Sequence, residues 1–519
     1  MSESQAEQES KGSAPPAQGS GRAQPNRPGQ GQAKAPGRSQ WEVAWRWGIP
    51  VAIGTVLALL PPPQGLAPHA WYFFATFAGI VAALMLEPIP PAATGVIAIT
   101  LTALLCRWTL FNPEELANPK FKPASEAVKW AFSGFGSSTV WLVGGAFMFA
   151  LAYQKTGLGR RIALLLVRAL GRNSLSLGYA ATFADTVIAP FTPSNTARSA
   201  GTIFPVFVNL PPIYDSMPND PSARRIGGYL LWTAFAASCV TSSLFMTACA
   251  PNFLAIDFAS KIAHVTLTYR QWFLAAAPFA LLLLLLLPLI GYIVYPPQVK
   301  RSPEIPSWAR AQLEKMGPLS RNEKILGALV LLAIVLWVLA GEYIDAAVVA
   351  FMVVSVLLVL GVLRWDDMAR YHSAWTTIVL LATLVAMADG LSRTGFVKWF
   401  AGNVASSVRG FAPGTALAIL VALYFSSHYF FSSLTAHTTT LMPIMLSVGL
   451  AVPGMAPEKL ALALALTTGV MSVISPYATG AALPYYNSGY ITSAEFWRNG
   501  TIYGLLFLGA LLILGVPFL

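Results

Sequence analysis

The chain has 519 residues, of which 55% are apolar and only 11% are charged, whereas a soluble protein carries charge on about a quarter of its residues. This composition excludes a soluble globular protein, and three cysteines, all in apolar segments, exclude a disulfide scaffold. The net charge of +11 does not indicate a nucleic-acid partner, because basic residues collect in the cytoplasmic loops of membrane proteins.

Long uncharged stretches indicate what kind of protein this is. Residues 226–256, 411–457 and 461–494 contain no Asp, Glu, Lys or Arg. The apolar stretch 272–295, at about 1.5 Å per residue, exceeds the hydrocarbon core of a bilayer, about 30 Å. The sequence therefore predicts an all-α polytopic membrane protein in contact with the lipid bilayer.

The organisation along the chain follows from these stretches. Residues 1–40 lack aromatic residues and Leu, Ile and Val, which predicts a disordered cytoplasmic tail. A first transmembrane helix is expected within 41–69, followed by a first repeat (70–296), a polar cytoplasmic loop (297–324) and a second repeat (325–519). We predict about eleven spans, near 45–61, 70–86, 91–107, 137–157, 226–256, 272–296, 325–341, 345–363, 374–395, 459–492 and 498–518.

Two apolar segments, 177–210 and 413–450, are too long for one span and carry polar residues at their middle. A re-entrant hairpin, which enters and leaves the membrane on the same side, fits such a segment better. With the N-terminus in the cytoplasm, this layout places 22 Lys and Arg inside, 10 outside and Arg198 within the membrane. This asymmetry supports the orientation of a multi-pass membrane protein with its N-terminus in the cytoplasm.

The two halves resemble each other at a nearly constant offset. Adding 238 carries Lys155-Thr156-Gly157 onto Arg393-Thr394-Gly395, and adding 239 carries Ser194-Asn195-Thr196-Ala197 onto Ser433-Leu434-Thr435-Ala436. With five spans in each repeat, the second copy is expected upside down relative to the first. Inverted repeats of this kind are typical of secondary transporters, with the binding site where the repeats meet.

Both predicted hairpin tips read Ser-x-Thr-Ala. A broken helix offers free N–H groups and a positive dipole end, which suit a carboxylate, and hydroxyl groups add neutral donors. The alternative for a single Ser-x-Thr is hydrogen bonding within packed helices, but the symmetric pair favours a site for a small dicarboxylate. We therefore expect Ser194, Asn195, Thr196, Ser433 and Thr435 to bind substrate.

Two spans are also interrupted, at Thr247-Ala248-Cys249-Ala250-Pro251-Asn252 and at Ser475-Pro476-Tyr477-Ala478-Thr479-Gly480. Proline in the middle of a span frees backbone carbonyls that border a site or serve a cation. A simple kink is an equal alternative. The candidate site residues at these breaks are Cys249, Asn252, Ser475, Pro476 and Thr479.

Together, these motifs make the chain, from about Trp41 to its end, resemble the divalent anion/sodium symporter family, and most closely its bacterial citrate, tartrate and succinate exchangers and its plastid 2-oxoglutarate/malate translocators. The resemblance implies a homodimer with scaffold and transport subdomains, and elevator-type transport of di- or tricarboxylates. Family members that are symporters bind sodium at the same motifs, which here would be Ser194, Asn195 and Ser433. Leu434 stands where those symporters have Asn, which argues against sodium coupling.

Two residues after each motif Thr stands a potential cation, Arg198 in the first repeat and His437 in the second. Because an intramembrane Arg is costly, we hypothesise that these side chains supply the positive charge that sodium supplies in symporters, which predicts sodium-independent exchange. The alternatives are an ion pair between Arg198 and Asp185, and a neutral His437 bonded to the backbone.

Functions of other classes are less consistent with the sequence. A membrane-embedded enzyme would need an acid/base pair, a metal cluster or an activated nucleophile, and the five histidines are scattered without such a context. An anion channel would not require an inverted repeat with two discontinuous tips. We therefore expect a transporter rather than an enzyme, with no cofactor other than a possible sodium ion.

Overall fold

The computed structural model describes residues 40–340, 343–408 and 410–519, so positions 1–39 of the predicted tail lie outside the described residues. Within these ranges the regular structure is helical, apart from one isolated bridge between Asn173 and Arg301. The all-α prediction is confirmed for this part of the chain.

The helices of the first half reach from the N-terminal span to the long leucine-rich helix. They are α1 (Gln40–Leu59), α2 (Pro68–Leu86), α3 (Pro91–Leu104), α4 (Cys106–Thr109), α5 (Pro113–Ala117), α6 (Pro123–Ser133), α7 (Ser138–Thr156), α8 (Leu158–Leu170), α9 (Ser174–Ile188), α10 (Phe204–Phe207), α11 (Gly227–Leu244), α12 (Ala250–Ile262) and α13 (Tyr269–Val294).

The second half begins in the predicted polar loop. Its helices are α14 (Glu304–Met316), α15 (Arg321–Leu339), α16 (Ala346–Val359), α17 (Trp365–Ala369), α18 (His372–Arg393), α19 (Phe396–Val408), α20 (Pro413–Ser427), α21 (Leu434–Leu450), α22 (Pro457–Val470), α23 (Ala482–Asn487) and α24 (Ser493–Ala510).

Helix α11 lies at the centre of the bundle. All 18 of its residues are buried, and it packs against α9, α13 and α22. A helix that is buried on every side must satisfy its polar side chains internally. Thr241 and Ser242 of α11 accordingly accept hydrogen bonds from the buried Arg198, and Thr241 also donates to Asp185.

Element bounds in the two halves correspond closely. Adding 238 to Leu158–Leu170 (α8) gives Phe396–Val408 (α19), and adding 239 to Ser174–Ile188 (α9) gives Pro413–Ser427 (α20). The glycines that end α7 and α18, Gly157 and Gly395, both have positive φ, 78° and 83°. Glycine adopts this left-handed conformation without a steric penalty and so ends the helix at the same place in each half.

The predicted interruptions are also present. A 3₁₀ turn (Met246–Ala248) separates α11 from α12, while α22 ends at Val470 and continues as a 3₁₀ turn (Met471–Val473). No regular helix follows until Ala482. Proline is one reason, because Pro251 occupies the first turn of α12 and Pro476 lies in the second break, where neither nitrogen can donate.

The number of spans is less simple than the eleven predicted. In the described part of the chain, five helices are long and apolar enough to cross a membrane: Pro68–Leu86, Tyr269–Val294, Arg321–Leu339, His372–Arg393 and Ser493–Phe518. A sixth would be the bent pair Pro123–Gly136 and Ser138–Thr156. Helices such as α3 and α16 have 14 residues, or about 21 Å, which is shorter than the hydrocarbon core.

The polar loop predicted at 297–324 is not a simple loop. It contains the 13-residue helix α14, which packs on α8, and α15 already begins at Arg321. Arg161 of α8 joins these elements. Its Nε lies 2.5 Å from Oε1 of Glu323 and its Nη1 donates to the carbonyl of Gly317 at 2.9 Å.

Replacing Arg161 by alanine is expected to lower the thermal unfolding temperature of the purified protein. Arg161 is 6% exposed and Glu323 is 2% exposed, so the substitution leaves a buried carboxylate without its cation, which costs about 3–5 kcal/mol. Arg160→Ala is the matched control, because Arg160 is exposed and its Nη2 donates to Oε1 of Gln312 at 3.5 Å. Equal unfolding temperatures for the two variants would contradict this assignment.

Candidate functional site

Both predicted tips are the capped starts of helical segments. Ser194 Oγ accepts a hydrogen bond from the N–H of Ala197 at 3.1 Å, ahead of a π-helix (Thr196–Ile203). Ser433 Oγ accepts from the N–H of Ala436 at 3.3 Å, at the start of α21. Serine is a favoured N-cap because its side chain satisfies one of the N–H groups that the first turn leaves free.

The rest of each tip is also alike in the two halves. The carbonyl of Ser194 accepts from the N–H of Arg198 at 2.9 Å, and the carbonyl of Ser433 accepts from the N–H of His437 at 3.0 Å. A short 3₁₀ turn precedes each tip, at Ala189–Phe191 and at His428–Phe430. Two helix N-termini of the same design are therefore available, each a weak positive pole.

The two tips line one cavity of about 320 Å³, a size suited to a small ligand. The tips contribute residues 193–196 and 432–435, and the two helix breaks contribute residues 249–251 and 479–480. The remaining wall is formed by Glu87, Phe147, Ser373, Thr377, Leu380 and Leu381. Of the predicted site residues, the structure thus brings together Ser194, Asn195, Thr196, Cys249, Ser433, Thr435 and Thr479.

The cavity lining carries a negatively charged side chain and no basic one among the described residues. Among the described residues that line the cavity, there is no Lys, Arg or His, and Glu87 is the charged one. An anion in this cavity would therefore be held by hydroxyl groups, an amide and helix N-termini rather than by a basic side chain.

A direct hydrogen bond joins the first tip to the break in the other half. Asn195 Nδ2 donates to Thr479 Oγ1 at 3.0 Å, across 284 residues of sequence, and both side chains are nearly buried. The neighbouring Gly480 allows close approach, because a Cβ there would lie 2.8 Å from Thr196 Oγ1. The two halves of the site are therefore connected through their side chains.

Arg198 was predicted to contact substrate, but it is not among the described residues that line the cavity. Its guanidinium is fully buried and its Nε lies 3.2 Å from both carboxylate oxygens of Asp185. Nη1 donates to the carbonyls of Thr192 (3.1 Å) and Ala248 (2.7 Å), and Nη2 donates to groups of α11. The alternative that the sequence left open, the ion pair with Asp185, is the arrangement observed.

The other predicted residues outside the cavity are His437, Asn252, Ser475 and Pro476, all buried. His437 Nε2 lies 3.0 Å from Ser427 Oγ. Asn252 Nδ2 donates to the carbonyls of Ser242 (2.8 Å), Phe245 and Met246 (both 3.3 Å), at and just after the end of α11. Asn252 thus satisfies three carbonyls near the end of α11.

Sequence reasoning missed the part of the cavity lining that comes from outside the tips and the breaks. Ser373 and Thr377 lie four residues apart on α18 and so share one face of the helix, a spacing that was visible in the sequence. Glu87 directly follows α2 and has a positive φ of 45°. The burial of the other wall residues gave no local signal.

Broken helices that meet in one cavity inside a bundle of apolar helices define a membrane transporter of the secondary type. Residues 42–518 match the family described as "Sodium:sulfate symporter transmembrane region", and the chain belongs to this family. The resemblance to the divalent anion/sodium symporter family that the motifs indicated is thereby confirmed.

Curated relatives match nearly the whole chain. A citrate/succinate antiporter of Escherichia coli (strain K12) is 46% identical over 475 residues, which cover 92% of this chain and 98% of the relative. An L-tartrate/succinate antiporter of the same strain is 44% identical over 472 residues, covering 91% and 97%. Among solved structures, the Alcanivorax borkumensis YdaH transporter matches with a TM-score of 0.53 at 18% identity, over 82% of this chain and 97% of that one, and this shows a shared fold.

Replacing Arg198 by alanine is expected to destabilise the protein before it affects substrate affinity. The substitution leaves Asp185 buried and uncompensated, at about 3–5 kcal/mol, and removes the donor from the carbonyls of Thr192, Ala248 and Ser238. We expect a marked fall in the thermal unfolding temperature. The double variant Arg198→Met with Asp185→Leu should recover part of this loss, because apolar residues can replace a buried ion pair at little cost in stability. A stable Arg198→Ala protein with weakened substrate binding would instead indicate direct contact with substrate.

Proposed function

We propose that the protein is a sodium-independent exchanger of di- and tricarboxylates in a bacterial inner membrane. The substrate class is that of succinate, malate, tartrate, citrate and 2-oxoglutarate. The named antiporter relatives exchange citrate or tartrate for succinate, and the identity and coverage of those matches support the same class here.

The observation that carries this proposal is the pair of serine-capped helix N-termini on one cavity. A dicarboxylate has two anionic ends, and each end can accept hydrogen bonds from one tip. Ser194 and Thr196 serve one end, and Ser433 and Thr435 serve the other. Neutral donors suit a carrier, because a site that bound the anion through buried charges would release it slowly.

Sodium independence is supported by two features of the tips. Leu434 lacks the amide that would help to hold a cation at the second tip. At the first tip, the carbonyls of Thr192 and Ala248 already accept hydrogen bonds from Arg198, and free carbonyls at helix breaks are what sodium uses in transporters. Were sodium bound, Ser194, Asn195 and Ser433 would be the candidate ligands. Without a coupling ion, we propose that the carrier returns with a second carboxylate.

The architecture proposed for this transport consists of two inverted repeats, re-entrant hairpins at 177–210 and 413–450, and an N-terminus in the cytoplasm. The matching bounds of α8 with α19 and of α9 with α20 support the repeats. The cavity is lined by the tips and also by residues of α18 and Glu87, which follows α2. We propose that the tips belong to a mobile transport subdomain and that α2 and α18 belong to the scaffold of a homodimer.

Purified protein in liposomes loaded with succinate should take up external labelled citrate, tartrate or succinate, and empty liposomes should take up little. Replacing sodium by potassium on both sides should leave the rate unchanged, because no sodium ion takes part. Uptake that is lost without sodium would favour a symporter, uptake that does not saturate would favour a channel, and conversion of the substrate would indicate an enzyme.

Ser433→Ala should raise the KM of exchange by about tenfold or more, because it removes a donor to a charged group, about 1.5–3 kcal/mol, and an N-cap. Ser447→Ala is a matched control in the same hairpin arm, since its hydroxyl bonds to the carbonyl of Pro443 in its own helix and does not line the cavity. An unchanged KM for Ser433→Ala would remove this tip from the site.

A further inference from the structure

The second helix break contains a carbonyl whose position affects the site. Residues 474–481 form no helix, so their backbone groups lack the regular partners of a helix and must be satisfied by other donors. Ala478 directly precedes Thr479, which lines the cavity and accepts the hydrogen bond from Asn195. The orientation of the Ala478 peptide therefore affects where the Thr479 hydroxyl points.

His428 supplies the donor for this carbonyl. Its Nε2 lies 2.9 Å from the carbonyl oxygen of Ala478, and the side chain is fully buried. Because a carbonyl oxygen only accepts, Nε2 must carry the hydrogen, and this assigns the tautomer. The contact joins the 3₁₀ turn before the second tip to the break that follows α22.

The first half has the same type of contact, made from a different place. Arg198 Nη1 donates to the carbonyl of Ala248 at 2.7 Å, and Ala248 directly precedes the cavity residue Cys249. Arg198 lies after the first tip, whereas His428 lies before the second tip. The two residues do not correspond in the repeat, because the offset of 239 places Ala189 at the position of His428. In each half, then, a basic side chain of the hairpin holds the carbonyl next to a cavity residue.

The ring of His428 is itself held in place. It packs edge-to-face on His437, with ring centroids 4.9 Å apart. The Nε2 of His437 lies 3.0 Å from the hydroxyl of Ser427, the residue before His428. Tyr424 and Phe431 enclose the other faces of His437 at 4.5 and 4.8 Å. His437 therefore acts as a support for His428, although the sequence suggested it as a partner of substrate.

We propose that His428 is a positioning residue for the substrate site: by fixing the Ala478 carbonyl it orients Thr479, and through Thr479 the amide of Asn195 at the opposite tip. This inference rests on the proposed carboxylate exchange. In this proposal, His428 aligns the two halves of the site although its side chain does not contact substrate.

The test compares His428→Gln with His428→Ala in succinate exchange by proteoliposomes. The amide nitrogen of Gln lies close to the place of Nε2 and can donate to the same carbonyl, so Gln should keep KM within about threefold of the wild type. Alanine removes the donor and should raise KM by about tenfold, the effect of one lost hydrogen bond. His264→Asn, an exposed histidine far along the chain from the tips, is the control for purification and reconstitution.

A double-mutant cycle with Thr479→Val separates positioning from a general loss of structure. If His428 acts through Thr479, His428→Ala should add little to the KM of the Thr479→Val protein. If the two residues act independently, the fold-changes in KM of the two single variants would multiply in the double variant. A purely structural role would lower the unfolding temperature and the active fraction but leave KM unchanged.

Three results would overturn the proposal: a folded His428→Ala protein with an unchanged KM, a stable His428→Gln protein whose KM is raised as much as tenfold, or effects of His428→Ala and Thr479→Val on KM that multiply in the cycle. If His428→Ala does not fold, the KM of His428→Gln alone decides. Absence of exchange by the wild-type protein would count against the proposed function, and it is thereby distinguished from failure of this inference.

Discussion

The rest of the structure depends on one constraint: where a helix breaks inside an apolar bundle, every freed N–H and C=O group needs a partner from the protein. An unsatisfied group in such surroundings costs several kcal/mol. Ser194 and Ser433 satisfy N–H groups at the two tips, while Arg198, His428 and Asn252 donate to carbonyls at the two breaks. In the proposed function, the remaining N–H groups and hydroxyl groups of the tips serve an anion.

The two halves meet this constraint with different chemistry. The first uses a guanidinium, and a buried guanidinium needs Asp185 as its counter-ion as well as hydroxyl groups of α11. The second uses a histidine ring, which can donate while neutral and so needs no counter-ion. Such a difference is compatible with corresponding helix bounds, because the bounds follow from capping and turn residues and not from the donors that later reach a carbonyl.

Much of the fold was predictable because its signals are local. Scarcity of charge indicated a membrane bundle, Gly157 and Gly395 marked helix ends, Pro251 and Pro476 marked breaks, and the Ser-x-Thr-Ala pattern marked the tips. The limits of the spans were less predictable, since apolar residues continue through loops and short helices such as α3 and α16. The helix α14 was missed because its charged face resembles a solvated loop, and its ordering comes from packing on α8.

The sequence by itself determined a bundle of apolar helices with two capped tips, two breaks and neutral donors beside them, because composition, N-caps and proline act within a few residues. Only the tertiary structure decided which donors reach the cavity. Asn195 meets Thr479 across 284 residues, and Arg198 turns away from the cavity to Asp185 and α11, although it stands only two residues from a cavity residue. The reason is that the direction of a buried side chain depends on the elements packed around it, and those elements are distant in sequence.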